Sequence, residues 1–303
     1  MSVASGKKVE LAGFLDTGLD LSTDSITEAE RERTLAWYRE HHDHGDLDLA
    51  PFARFQLRHD PATFKRLRRH IFALGREPED GPLPIGVAVL LYIHAYAVLG
   101  NGKGTLYEII AARALGVTRA DVVETLALAA LQGGPLSVNA VAEFAHDYLA
   151  DWPEDEGTGV AWPEGWAAAT DRLRSGINLG SDALEPGELE LIRGWYERTE
   201  GMVPAHVELL AATAPAALKT QRARFETAVR GALPAQLVPL LTVHLSAIRL
   251  WPTPLRRSLL LSRSLGVRRG EAISTLLWAA IYGGEVVMET AVDAAGDVLE
   301  NWA

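Results

Sequence analysis

Glu108 heads a strongly apolar run, with Ile109, Ile110, Ala111 and Leu115 after it. A carboxylate set into a helix–helix pocket can take a raised pKa and act as a general acid or base. The competing reading is a surface glutamate near a helix start, where the helix dipole favours it. Tyr92 and Tyr96 stand one helical turn apart on the preceding apolar segment. A phenol can donate a hydrogen bond to a developing enolate, although core tyrosines with satisfied hydroxyls are the commoner case. Tyr107, beside Glu108, joins Tyr92 as a candidate for holding substrate. Asn101 and Lys103 sit in a Gly-Asn-Gly-Lys-Gly loop that can offer backbone N–H groups to an anion at a helix start. That loop is not a phosphate-loop motif, because no Lys-Ser/Thr pair follows at the required spacing.

Other clusters read as structure or solvated surface. Asn139, Glu143 and Asp147 follow i, i+4, i+8, and Glu143 with His146 has the i, i+3 spacing of helical metal ligands. A later stripe, Glu289, Asp293 and Asp297, repeats the acids but has Gly296 where the histidine would be, so a solvated polar face is expected. His41-His42-Asp43-His44, with Asp46 and Asp48, has ligands a transition metal could use. Its Gly- and Asp-rich setting reads as a solvated loop, and no metal is expected. Arg256-Arg257 can hold a carboxylate or a neighbouring subunit.

Composition excludes several chemistries. The 303 residues contain no cysteine, so disulfides, thiolate catalysis, iron–sulfur clusters and cysteine-ligated zinc are ruled out. With 29 basic against 40 acidic residues, the formal charge of −11 gives no broad cationic footprint for nucleic acid. The first ten residues, MSVASGKKVE, lack the apolar stretch of a signal peptide, and a cytoplasmic location is expected. The longest apolar runs, Ile85 to Leu99 and Leu237 to Leu250, are shorter than the ~20 residues of a membrane span. They read as core helices of a globular protein with no membrane partner.

The elements that must position these residues occur twice. Leu83–Trp152 aligns without a gap to Leu233–Trp302, with 21 of 70 pairs identical, including His94 with His244, Gly116 with Gly266 and Gly133-Gly134 with Gly283-Gly284. Upstream, Trp37-Tyr38 answers Trp195-Tyr196, and Asp60-Pro61-Ala62 answers Ala214-Pro215-Ala216. The Pro-, Gly- and acid-rich stretch 153–165 reads as the connection, giving expected repeats of 1–160 and 161–303. Helical spacing of apolar residues dominates and alternating β-branched runs are absent, so the fold class is all-α. Thr27 with Glu30 reads as a capping box for a helix over 28–41, and Thr118 with Asp121 starts one over 119–132. Gly116 and Gly266 read as left-handed helix ends. The doubled glycines mark a sharp turn or a close helix approach.

The block Leu106–Leu149 runs helix, Ala-Leu-Gly-Val-Thr-Arg-Ala-Asp-Val, helix, Gln-Gly-Gly-Pro, helix. It resembles the carboxymuconolactone decarboxylase family, which includes the cysteine-dependent alkylhydroperoxidase partner proteins, and Leu259–Leu299 repeats the pattern. The resemblance covers about 70 residues of each copy. It implies two tandem helical repeats forming a pseudo-dimer, and a homo-oligomer, trimer or dimer, of the fused chain. The peroxidase signature, Cys-x-x-Cys-x-x-x-His, falls on Asn101, Gly104 and Glu108 in the first copy and on Trp251, Pro254 and Ser258 in the second. The decarboxylase-branch Glu-x-x-x-His pair falls on Gly104 and Glu108, then on Pro254 and Ser258. Glu108 thus stands where the family places its histidine. The family's upstream glutamate falls on Val89 and Pro239, and Tyr96, seven residues after Val89, lies on the same face.

His94 and its match His244 tempt a catalytic assignment. Five residues past Val89 is about 140° round the helix, however, which favours a structural histidine bonded to a backbone carbonyl. The expected function is a cofactor-free lyase or isomerase acting on a small oxygenated cyclic acid, lactone or enol. Glu108, Tyr96 and His94 are its catalytic candidates, and Tyr92, Asn101, Lys103 and Tyr107 would bind substrate. The second copy is expected to be largely structural. The alternative is a catalytically silent binding or scaffold protein.

Overall fold

The computed structural model describes residues 16–42, 44, 45 and 47–302, which form 13 α-helices and no β-strand. Residues 1–15, which include the N-terminal MSVASGKKVE, together with Asp43, Asp46 and residue 303, lie outside the described residues. The chain divides into two units. One runs to Val122 and resumes over Gly133–Pro163; the other joins Val123–Gln132 to Glu164–Ala303.

In the first unit α1 (Glu28–His41), α2 (Pro51–His59) and α3 (Pro61–Leu74) precede α4 (Ile85–Val98) and α5 (Gly102–Ala114). Helix α6 follows over Arg119–Ala150. In the second, α7 (Glu188–Glu200), α8 (Ala205–Thr213) and α9 (Pro215–Ala228) precede α10 (Leu237–Ile248) and α11 (Pro252–Ser264). Helices α12 (Arg269–Gly283) and α13 (Val286–Glu300) close it. Each unit is built round a helix that is apolar on all sides, α4 and α10, packed against its successor. Such a helix has no polar face to give to water and must be enclosed. The α1 and α7 helices each pack on the helix after that core, α5 and α11.

Local chemistry sets the helix ends. Thr27 and Thr118 both make the reciprocal capping box with the acid three residues on. Gly116 and Gly266 adopt φ of 81° and 83°, where side-chain-bearing residues are strained. The span α6 joins two helices across a kink: Gly134, at φ 67° and ψ −166° and followed by Pro135, interrupts the helical backbone close to the end expected near Gln132. Of the described helices, α6 alone is long and apolar enough, by length and composition, to cross a membrane. The Gly134 break leaves pieces shorter than the ~20 residues a span requires.

The same buried device braces both units. Lys65 Nζ reaches Glu30 at 3.0 Å and donates to the Ser25 carbonyl; Lys219 Nζ reaches Glu188 at 2.8 Å and donates to the Ala183 carbonyl. Glu30 accepts from the N–H groups of Thr27 and Asp20, as Glu188 does from those of Glu185 and Asn178. Each lysine therefore ties the start of one helix to the extended segment before it. Backbone donors hold the Glu30 carboxyl down at about 2.

Candidate functional site

In the first unit the structure gathers Glu108, Tyr92, Tyr96 and Tyr107 into one electrostatic neighbourhood. Glu108 is only 4% exposed, so it is a buried carboxylate and not the surface residue of the competing reading. Burial lifts the Tyr92 hydroxyl well above its ordinary value, and the Glu108 charge and then Tyr96 push the same way. Tyr107 is raised by burial, then by Tyr38 and Glu108. Tyr38 is raised by burial and Glu108 against the opposing pull of Arg68. All three phenols are protonated at neutral pH, as an unshifted phenol also is, and able to donate.

Of the remaining sequence candidates, Asn101 adjoins Tyr96, donating its N–H to the Tyr96 carbonyl at 2.9 Å, while His94 and Lys103 have surroundings of their own. His94 is fully buried, and burial alone takes it down to about 3. Neither of its ring nitrogens has a hydrogen-bond partner among the described residues, so the carbonyl bond expected of a structural histidine is not made. Asn101 caps α5, its Oδ1 accepting from the Gly104 N–H at 2.9 Å. Lys103 is exposed, with its ammonium 5.9 Å from the Phe144 ring centre. The acidic stripes through Glu143 and Asp293 are exposed. Among the described residues no group of three or more His, Asp or Glu side chains is placed to hold a metal.

Two further residues belong to the neighbourhood: His42, which the sequence places in a solvated loop, and Arg68, which sequence reasoning passes over. His42, expected in a solvated loop, is 1% exposed and stacks on the Tyr107 ring at 4.0 Å. Tyr107 supplies the flat surface that draws the residue after α1 inward. Burial, then the Arg68 charge, lowers His42 to about 3. Arg68 itself is 5% exposed, with its guanidinium 5.6–5.9 Å from the rings of Trp37, Tyr38 and Phe64. Its Nη2 has no hydrogen-bond partner, and no carboxylate among the described residues pairs with it. The sequence signal was available: Arg68 aligns with Arg222 when the Asp60-Pro61 and Ala214-Pro215 helix starts are matched.

The second unit builds the same place from other residues. Arg222 lies 3.8 Å over the Trp195 ring, but here its Nε donates to Glu226 at 2.6 Å and it also reaches the Leu173 carbonyl. The position of Glu226 is Phe72 in the first unit, which explains why Arg68 lacks this carboxylate. The His42–Tyr107 stack is replaced by an ion pair, Arg257 holding Glu200 with bonds of 2.7 and 3.1 Å. Arg256 is likewise paired, with Asp297. Around the Glu200–Arg257 pair lies a cavity of about 790 Å³ that Pro254 and Ser258 also line. The sequence predicts a largely structural second copy, and no motif in it marks this space.

The chain matches no known family model, no curated protein and no solved structure.

Proposed function

We propose that the protein is a lyase or isomerase working by general acid/base chemistry on a small oxygenated cyclic acid, lactone or enol, without a cofactor, on a carboxymuconolactone decarboxylase-like scaffold. The observation that carries this reading is the buried Glu108 carboxylate set among Tyr38, Tyr92 and Tyr107, all held protonated. In an isomerase Glu108 would take a proton from the carbon next to a carbonyl and return it to another carbon; in a decarboxylase the loss of CO₂ would itself leave the enolate, and Glu108 in its acid form would give its proton to the vacated carbon. In either case the phenols would donate to the enolate oxygen as negative charge develops there. Arg68, buried without a carboxylate partner among the described residues, favours an acid as substrate, since an uncompensated buried cation is costly. A thiol peroxidase is excluded by the absence of cysteine.

The reading that stands beside it is a binding or scaffold protein retaining the fold. The close stacking of His42 on Tyr107 favours it, because that contact fills space beside Glu108. Solvent exchange separates the two. Unsaturated lactone acids and cyclic keto acids are incubated with the protein in D₂O, and loss of the proton next to the carbonyl is followed by NMR. The enzyme reading expects exchange or conversion that Glu108→Gln slows by about 10²-fold or more, the usual contribution of a positioned proton-transfer group. Equal rates for Glu108→Gln and the natural chain, with unchanged circular dichroism, would remove Glu108 from the mechanism.

A further inference from the structure

The cavity of the second unit, about 790 Å³, falls within the roughly 300–1,000 Å³ of small-ligand sites. Aromatic side chains, Trp195, Tyr196 and Phe225, form part of its wall. Three guanidinium groups, Arg222, Arg224 and Arg257, line it against one lining carboxylate, Glu200. The cations are not equally committed. Arg222 is held by Glu226, the Leu173 carbonyl and the Trp195 ring, and serves as fixed wall. Arg257 uses Nε and Nη2 on Glu200, which leaves Nη1 without a protein partner among the described residues. Arg224 is exposed and makes no ion pair or hydrogen bond among them.

We propose that this cavity binds a small planar carboxylate, an aromatic or cyclic monoacid, whose carboxylate is received by Arg257 Nη1 and Arg224 and whose ring lies against the aromatic wall. Guanidinium groups with free N–H donors match a carboxylate in shape and charge, and the bidentate Glu200 contact shows that Arg257 already presents itself to one. The aromatic lining supplies the apolar part of recognition. Phe225 and Tyr196 also lie near the arginines themselves: the Arg222 guanidinium is 5.0 Å from the Phe225 ring and that of Arg257 is 5.6 Å from Tyr196. The site is particular to this unit, because Tyr107 and His70 stand where the second unit has Arg257 and Arg224. Ser258 occupies the position of Glu108, so the carboxylate proposed to move a proton in the first unit has no counterpart at that position.

Isothermal titration of the full chain with benzoate tests this, with benzamide as the uncharged isostere and inorganic phosphate as a non-planar anion. Benzoate is expected to bind at one site per chain and benzamide at least tenfold more weakly. Arg224→Gln, at an exposed side chain that leaves the fold intact, is expected to weaken benzoate severalfold. Arg257→Gln combined with Glu200→Gln, which removes both members of the pair together, is expected to weaken it at least tenfold. Arg256→Gln, a charge loss outside the cavity, is expected to leave it unchanged. The proposal is overturned if benzoate gives no binding at millimolar concentration, if benzamide or phosphate binds as well, or if neither cavity variant changes the affinity.

Discussion

Buried histidines make the fold of the first unit sensitive to acid. His42 and His94 both sit near 3 because burial disfavours the imidazolium, against an ordinary value of about 6.5. Between those two values the unfolded chain takes up protons that the native chain refuses. Stability is therefore complete above about pH 6.5 and falls as the pH drops toward 3, by up to about 1.4 kcal/mol per pH unit for each histidine. His94→Met, a flexible apolar chain of similar size, is expected to remove one histidine's share of that slope, read as the pH dependence of the urea midpoint. An unchanged slope would mean that His94 is already protonated in the native state. Sequence alone offered Glu108 and the tyrosines, because acids and phenols beside apolar runs stand out. It does not show the burial of His42 or Arg68, since His42 stacks on Tyr107, 65 residues later, and Arg68 lies against Trp37, 31 residues earlier.

At the scale of elements, what was legible was local. The capping boxes at Thr27 and Thr118 and the left-handed ends at Gly116 and Gly266 need only neighbouring residues, and the structure has them. The doubled glycines divide two tasks that sequence could name but not assign. A Cβ on Gly133 would lie 3.1 Å from Val98 Cα, and one on Gly283 equally close to Ile248 Cα, so these are the points of close approach. Gly134 and Gly284 have open space around them but adopt φ of 67° and 79°, so these make the turn. The lysine braces were not legible, because buried lysines are rare and nothing local marks them. Their depth makes a prediction. Lys219→Met leaves Glu188 buried without its cation, and losing one member of a buried pair typically costs about 3–5 kcal/mol. Urea unfolding of Lys219→Met is expected to show a loss of that order, whereas Arg193→Met, which breaks the exposed pair with Glu208, should cost under about 1 kcal/mol. Equal losses would show that the buried brace contributes no more than a surface pair.

For the whole molecule, the apolar surface left exposed in each unit is the informative quantity. Leu136 is 82% exposed and Val138 45%, both just past the Gly134 turn of α6, and Val286 and Val292 of α13 are 42% and 57% exposed. Leu136 and Val286 occupy matching positions in the repeat, so the same exposed apolar site occurs in each unit. Single exposed apolar residues are ordinary, but recurrence at matching positions beside Val138 and Val292 is what a subunit contact needs. The formal charge of −11 opposes association over long range and is screened within about 10 Å at 0.1 M salt, so such a contact would strengthen with added salt. The chain is accordingly expected to form a homodimer or homotrimer. Light scattering at micromolar concentration should give two or three times 32.9 kDa, and Leu136→Glu, which places a charge in that contact, should lower the mass while leaving the helical circular dichroism unchanged. A mass of one chain for the natural protein, in both low and high salt, would mean that these side chains face water in the working molecule.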